Sequence, residues 1–419
     1  MPFCTSVDNV KKSQLQQRLL TLSFVNLLLV ALLGVLLRTF PFLSSFPFAY
    51  KNVLHGHSHF AFSGWVMLVL FALLMKAFPA IKERIPYRHW RNVAALIVLS
   101  TYGMLVAFPF QGYKVISISF STLAIVATVY LTIIIRKALA SLPKTVPHRF
   151  VQWGLFYACL SSIGPFAIGP LIAMGKSGSP LYFDAIYFYL HFQYNGFFTF
   201  LVLAFLYRML EKRCEAVHGR KVLLLLNTAL IPAYALSVLW HQPSVVFNWL
   251  GGSAALLQLG AVIFLLLDAV KVKFKNSVLL SLSLTAFVLK SLLQFFSAFP
   301  VIAQLAYEYR NLVIAYLHLV LLGFVSLFVF ASVLKRNPST QLGIALFLFS
   351  FLSTESLLVL QVIGSVYLFS IPSYLEIILA CSVFFPVGVA LMLSGLRSQN
   401  KASGKKESQK QNELYTILD

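Results

Sequence analysis

Charge is what this chain has least of. Only 11% of its 419 residues are charged, against 59% that are apolar, and a soluble domain of that composition lacks the polar surface to cover itself. An integral membrane protein is the reading that remains. Acidic residues are scarcer still: 12 Asp and Glu stand against 33 Lys and Arg, for a net charge of +21. Cysteine is confined to Cys4, Cys159, Cys214 and Cys381. With no CxxC or CxxCH among them, the spacing of a covalent c-type haem, an iron–sulfur cluster or a disulfide framework is missing, and they read as small buried hydrophobes. No soluble basic domain is left over to present a binding face to nucleic acid, so nucleic acid is not an expected partner.

What is there is apolar runs. The N-terminal stretch MPFCTSVDNVKKSQLQQR is polar for nearly its whole length, which reads as a retained first helix rather than a cleaved signal peptide. Windows of about 20 apolar residues predict twelve spans, near 17–38, 54–78, 91–110, 115–135, 150–174, 184–208, 221–240, 244–267, 276–299, 310–334, 341–366 and 372–396. The basic residues agree with that count. Of the 33, 27 fall at the termini or in the loops after helices two, four, six, eight and ten, leaving Arg38, Lys51, Lys114, Lys176 and Arg310 at the other side and Lys290 inside helix nine. By the positive-inside rule both termini are then cytoplasmic. The expected organisation is an all-α, multi-pass bundle over 1–396 in a bacterial inner membrane, with a disordered polar tail over 397–419. Its excess positive charge attracts anionic lipid.

The unusual stretch is Leu54–Val66, LHGHSHFAFSGWV, which puts His55, His57 and His59 into an apolar run. Ionisable residues in a membrane segment are read by default as functional. His55 and His59, four apart, share a helix face, and His57 points to the other side. Two imidazoles on one face suit a tetrahedral metal, whereas a haem iron takes one imidazole from this helix and one from elsewhere. The alternative for each histidine is an interfacial residue satisfied by water.

Other polar residues extend the pattern. Helix five carries GPFAIGP (Gly164–Pro170), which predicts a loosened or kinked span. Helix six places His191 about two turns from Asp184, followed by Tyr194, Asn195 and Gly196. His241 lies at the end of helix seven. Lys290 in helix nine needs a carboxylate or water, and Glu355 in helix eleven is the expected partner, the two forming a proton path. Helix ten places His318 two turns from Arg310, with Tyr316 two residues before it. His55–His59, His191 and His318 thus come from three helices at similar depth. Two imidazoles from facing helices at equal depth are what a bis-histidine b-type haem requires, with Arg310 placed to meet its propionates.

These segments resemble the central subunit of the haem-copper oxidase superfamily, most closely the C-type (cbb) oxidases and nitric oxide reductases. YLHFQYNGFFTFLVLAFL resembles that family's YGHNAVGFFLTAGFL style in helix six, AYLHLVLLGF its GHVHSGALGW style in helix ten, and LHGHSHFAFSGW both its low-spin haem helix and the HAHLNLLGW style of shorter nitric-oxide-response relatives. LWHQPS resembles a further segment there. The resemblance implies the oxidase subunit I architecture and one low-spin b haem. Its axial ligands would be His318 and one helix-two histidine, His55 or His59, with His191 at a copper-ligand position. It also implies electron transfer or response to oxygen or nitric oxide, with an electron donor or other respiratory subunits as partners. The sequence departs from the family in helix seven, where NTALIPAYALSVLW has no histidine pair, and in helix ten, where Tyr316 replaces a haem ligand. Copper is therefore not expected, nor is a complete binuclear centre.

Three other classes stay open. A secondary transporter shares the twelve-helix plan, but no repeat relates the two halves and the histidine layer lies nearer the outer face than the midplane site usual there. A metal-binding membrane protein would use His55, His59 and His191, with His57 and His318 as further candidates. The third is a cofactor-free relative of an oxidase that acts in assembly or stress response.

Overall fold

The computed structural model describes residues 2–212, 217–271 and 278–418. Among them it is all-helical, with no strand. Eleven helices are long and apolar enough to cross a membrane. In chain order, with the 180–211 rod counted as α6, they are α1 (Val7–Phe42), α2 (Tyr50–Ala77), α3 (Tyr87–Gln111), α4 (Val115–Ala140), α5 (Val146–Ala173), α7 (Gly219–His241), α8 (Val246–Val270), α9 (Val278–Phe296), α10 (Arg310–Val333), α11 (Pro338–Tyr367) and α12 (Tyr374–Asn400). The twelfth expected span is helical over 180–211 but is not among the eleven. The correction has a physical reason. His191, Gln193 and Asn195 make its middle polar, and the residues around them are buried in protein, so lipid does not select their polarity.

The rods form a ring around three central helices. Sequence neighbours pack side by side, and α1 closes the circle against α12. Inside it α2, α6 and α10 touch one another pairwise. Three arcs result: α3–α5 between α2 and α6, α7–α9 between α6 and α10, and α11, α12 and α1 between α10 and α2. Burial follows this plan, since 83% of the most apolar window of α2 is buried, against 33–50% in the other ten. The last helix continues unbroken from Tyr374 to Leu418, so helical backbone runs on through the segment expected as a disordered tail. Cys159 and Cys381 are free thiols, and Cys214 lies outside the described residues.

Each central helix widens into a π segment at one level: Ala61–Met67 in α2, Phe192–Phe198 in α6 and Leu319–Ser326 in α10. Each segment follows a histidine, in the pattern His-x4-Gly-aromatic: His59, Gly64, Trp65; His191, Gly196, Phe197; His318, Gly323, Phe324. A repeat of about one third of the chain is invisible to a search between halves. π turns release backbone carbonyls that water cannot reach inside a membrane. The chain caps them with side chains. Asn26 Nδ2 of α1 donates to Gly64 O at 2.8 Å, Ser283 Oγ of α9 donates to Phe324 O at 2.7 Å, and Thr199 Oγ1 donates to Tyr194 O at 2.7 Å. Trp65 Nε1 donates to Ser326 Oγ at 2.9 Å, tying the α2 and α10 segments together.

Candidate functional site

The three repeated histidines each turn into the arc that follows their helix. His59 Nε2 meets Tyr113 Oη, just before α4, at 2.7 Å. His191 Nε2 meets Leu230 O of α7 at 2.8 Å. His318 Nδ1 meets Glu355 Oε1 of α11 at 2.8 Å. Two residues earlier on each helix stand His57, Tyr189 and Tyr316, a spacing that turns them roughly to the opposite side. Each therefore looks back into the preceding arc, with Tyr189 within electrostatic reach of Tyr113 and Tyr316 packed on Tyr194.

Among the described residues, only the arc of α11, α12 and α1 receives an imidazole from both sides. His57 and His318 are within electrostatic reach of one another. The His57 ring lies beside the Val30 backbone, against Gly34, where an added Cβ would come within 3.5 Å of its Cε1. Its Nδ1 is buried with no hydrogen-bond partner among the described residues. Because His318 uses Nδ1 on Glu355, its Nε2 is left without a hydrogen bond among the described residues. Glu355 Oε1 also accepts from Thr354 Oγ1 at 3.3 Å, while Oε2 is buried without a partner. Arg38, at the end of α1, is within electrostatic reach of Glu355 and His57 and donates to Ile378 O at 3.4 Å. The His318 side chain, deep in the bundle, is still 27% exposed, and no residue of Arg310–His318 is buried. The π segment after that stretch is mostly buried.

This geometry revises several sequence expectations. His55 and His59 share a face as expected, but that face looks into the α3–α5 arc, away from His318. His59 stacks on Phe108 at 4.4 Å, and His55 sits edge-on to Tyr113 at 4.7 Å. The helix-two histidine that faces His318 is His57. Arg310 is exposed and lies within reach of His55 and Tyr187, so the arginine beside His57 and His318 is Arg38. Arg38 was legible only as a basic residue at the wrong end for the charge rule. Glu355 pairs with His318 and not with Lys290. Lys290 is 3% exposed, has no hydrogen bond or ion pair among the described residues, and stands 5.7 Å over the Phe287 ring. It borders a cavity of about 10 Å³ with Asn195, Gln258 and Ser291, room for about one water.

His191 is sealed at 1% exposure, held by Leu230 O and by Asn195 Nδ2 at 3.2 Å. His241 pairs with Asp184 at 3.1 Å at the end of the bundle and does not join it. No three His, Cys, Asp or Glu side chains gather as one metal-binding group among the described residues, so the metal-binding alternative that would join His55, His59 and His191, with His57 and His318 as further candidates, finds these histidines in separate compartments. The kink expected in α5 is present as a break at Ser162, before Ile163–Ala173. No protein-family model matches the sequence, and no curated protein matches it.

Proposed function

We propose that the protein is a multi-pass membrane haem protein holding one low-spin b haem between α2 and α10, related to subunit I of the haem-copper oxidases and working in electron transfer or response to a diatomic gas. The observation that carries this reading is that, of three equivalent arcs, only one has histidines facing from both central helices, and one of those imidazoles is oriented by a carboxylate.

The donor set fits the group. Metal-ligating histidines characteristically give their second ring nitrogen to a carboxylate or carbonyl, which fixes the ring and raises its basicity. Glu355 does this for His318, so Nε2 is the ligating atom. His57 brings a nitrogen that the protein itself leaves unpaired. Arg38 supplies positive charge against Glu355 and against haem propionates. Bound haem would supply a one-electron couple, tuned by its axial ligands and the polarity around them. The half-exposed face of Arg310–His318 is the wall a large planar group would cover. His191, sealed against Leu230 O with no second histidine near it among the described residues, offers no copper site at the position where the resemblance places one.

The setting that accompanies this reading is a bacterial inner membrane with both termini cytoplasmic and an electron donor or other respiratory subunits as partners. Reporter fusions at the two termini test the orientation. The cofactor is tested by a reduced-minus-oxidised visible spectrum of the purified protein, with and without carbon monoxide. A sharp b-type band that ignores carbon monoxide is expected. It should be lost in His57→Ala and His318→Ala and kept in His55→Ala. A colourless, folded preparation overturns the reading in favour of a transporter or a simple metal binder, and a carbon monoxide shift overturns bis-histidine ligation.

A further inference from the structure

On the other face of α2, the α3–α5 arc holds two imidazoles and a phenol in contact. We infer that His55, His59 and Tyr113 form a second, haem-independent site for a late divalent transition metal, copper in preference to zinc. His55 and His59 are one helical turn apart, and both rings lie edge-on to the Tyr113 ring, at 4.7 and 5.8 Å. Tyr113 Oη is 2.7 Å from His59 Nε2. His55 Nε2 is buried and has no hydrogen-bond partner among the described residues, a polar atom left unsatisfied inside a membrane protein at some energetic cost. Phe108 backs the cluster, stacked on His59 and edge-on to Tyr113 at 4.9 Å.

The chemistry selects the ion. Imidazole nitrogens suit copper and zinc, and for a given nitrogen and oxygen set copper(II) binds more tightly. Two nitrogens and one oxygen leave a coordination position for water, the arrangement of exchangeable rather than purely structural sites. Lys51 and Arg310 lie within electrostatic reach of His55. Their charge opposes a bare cation, so Tyr113 binds as phenolate, releasing one proton for each metal ion taken up. The site is specific to this arc: the positions matching His55 in the other two repeats are Tyr187 and Ile314.

The test is titration of the full-length protein, in detergent, with copper(II) alone against a competing chelating dye. One ion per chain is expected, with nitrogen couplings from two imidazoles in the electron paramagnetic resonance spectrum and a phenolate-to-copper absorption. Tyr113→Phe should remove that absorption. His55→Gln/His59→Gln should weaken binding by at least about 100-fold, while His57→Gln leaves it unchanged. Copper binding by the double variant equal to wild type overturns the inference. Should that variant fail to fold, the wild-type spectrum decides, and copper without two-imidazole couplings overturns it. The haem band is an independent readout, because it should survive in the double variant and be lost in His57→Gln.

Discussion

Replacing Asn26 with leucine isolates the cost of a π segment in a membrane. Asn26 is wholly buried. Its Nδ2 donates to Gly64 O at 2.8 Å, and its Oδ1 accepts from Tyr102 Oη at 2.7 Å. Leucine keeps the branching and the heavy-atom count and removes both bonds. The Gly64 carbonyl, inside the π segment and buried, is then orphaned, at about 1–3 kcal/mol. Tyr102 is only half-buried, so its hydroxyl regains a partner and adds less than about 1 kcal/mol. The sum is about 1–4 kcal/mol, or roughly 5- to 800-fold in the unfolding equilibrium. Denaturation in mild detergent, followed by tryptophan fluorescence, reads it directly. Ser58→Ala is the control: Ser58 is exposed and bonds only Leu54 O one turn back, so its loss should cost under about 0.5 kcal/mol. If Asn26→Leu is as stable as that control, the π carbonyl has found another partner and the capping argument fails.

Two further stability predictions concern positions on α6, α9 and α10. Gly196→Ala should destabilise more than Gly323→Ala. At Gly196 the new Cβ meets Tyr157 Cβ at 2.6 Å, which only a shift of α5 relieves, whereas at Gly323 it meets the ring tip of Phe351 at 3.0 Å. Overpacking of the first kind costs about 1–3 kcal/mol, and thermal melts showing the reverse order would refute the packing account. Lys290→Met should leave stability unchanged or raise it, because the buried ammonium has no hydrogen bond or ion pair to lose among the described residues; a loss beyond about 1 kcal/mol would reveal a polar partner that the geometry lacks.

Much of the fold was legible because lipid imposes it. Hydropathy and the sidedness of Lys and Arg carry the helix count, and the single departure, the rod at 180–211, occurs where protein and not lipid surrounds the chain. The site was legible in part. The 3.6-residue period separates His55 and His59 from His57, but a period fixes only relative directions. Which face meets α10 depends on how α2 is rotated in the bundle, set by its packing against α1, α3 and α10. Residues far apart in sequence, such as Arg38 and Glu355 around His318, meet only through ring closure of α1 on α12.

The sequence by itself therefore determined a helical membrane bundle and marked histidines on three helices as its unusual chemistry, because local composition and periodicity answer to solvent and helix geometry. Only the tertiary structure decided that α2, α6 and α10 are equivalent central rods, that their histidines look into three separate arcs, and that His57 and not His55 or His59 faces His318. Those outcomes rest on side-chain packing between helices distant in the chain, which no local pattern encodes.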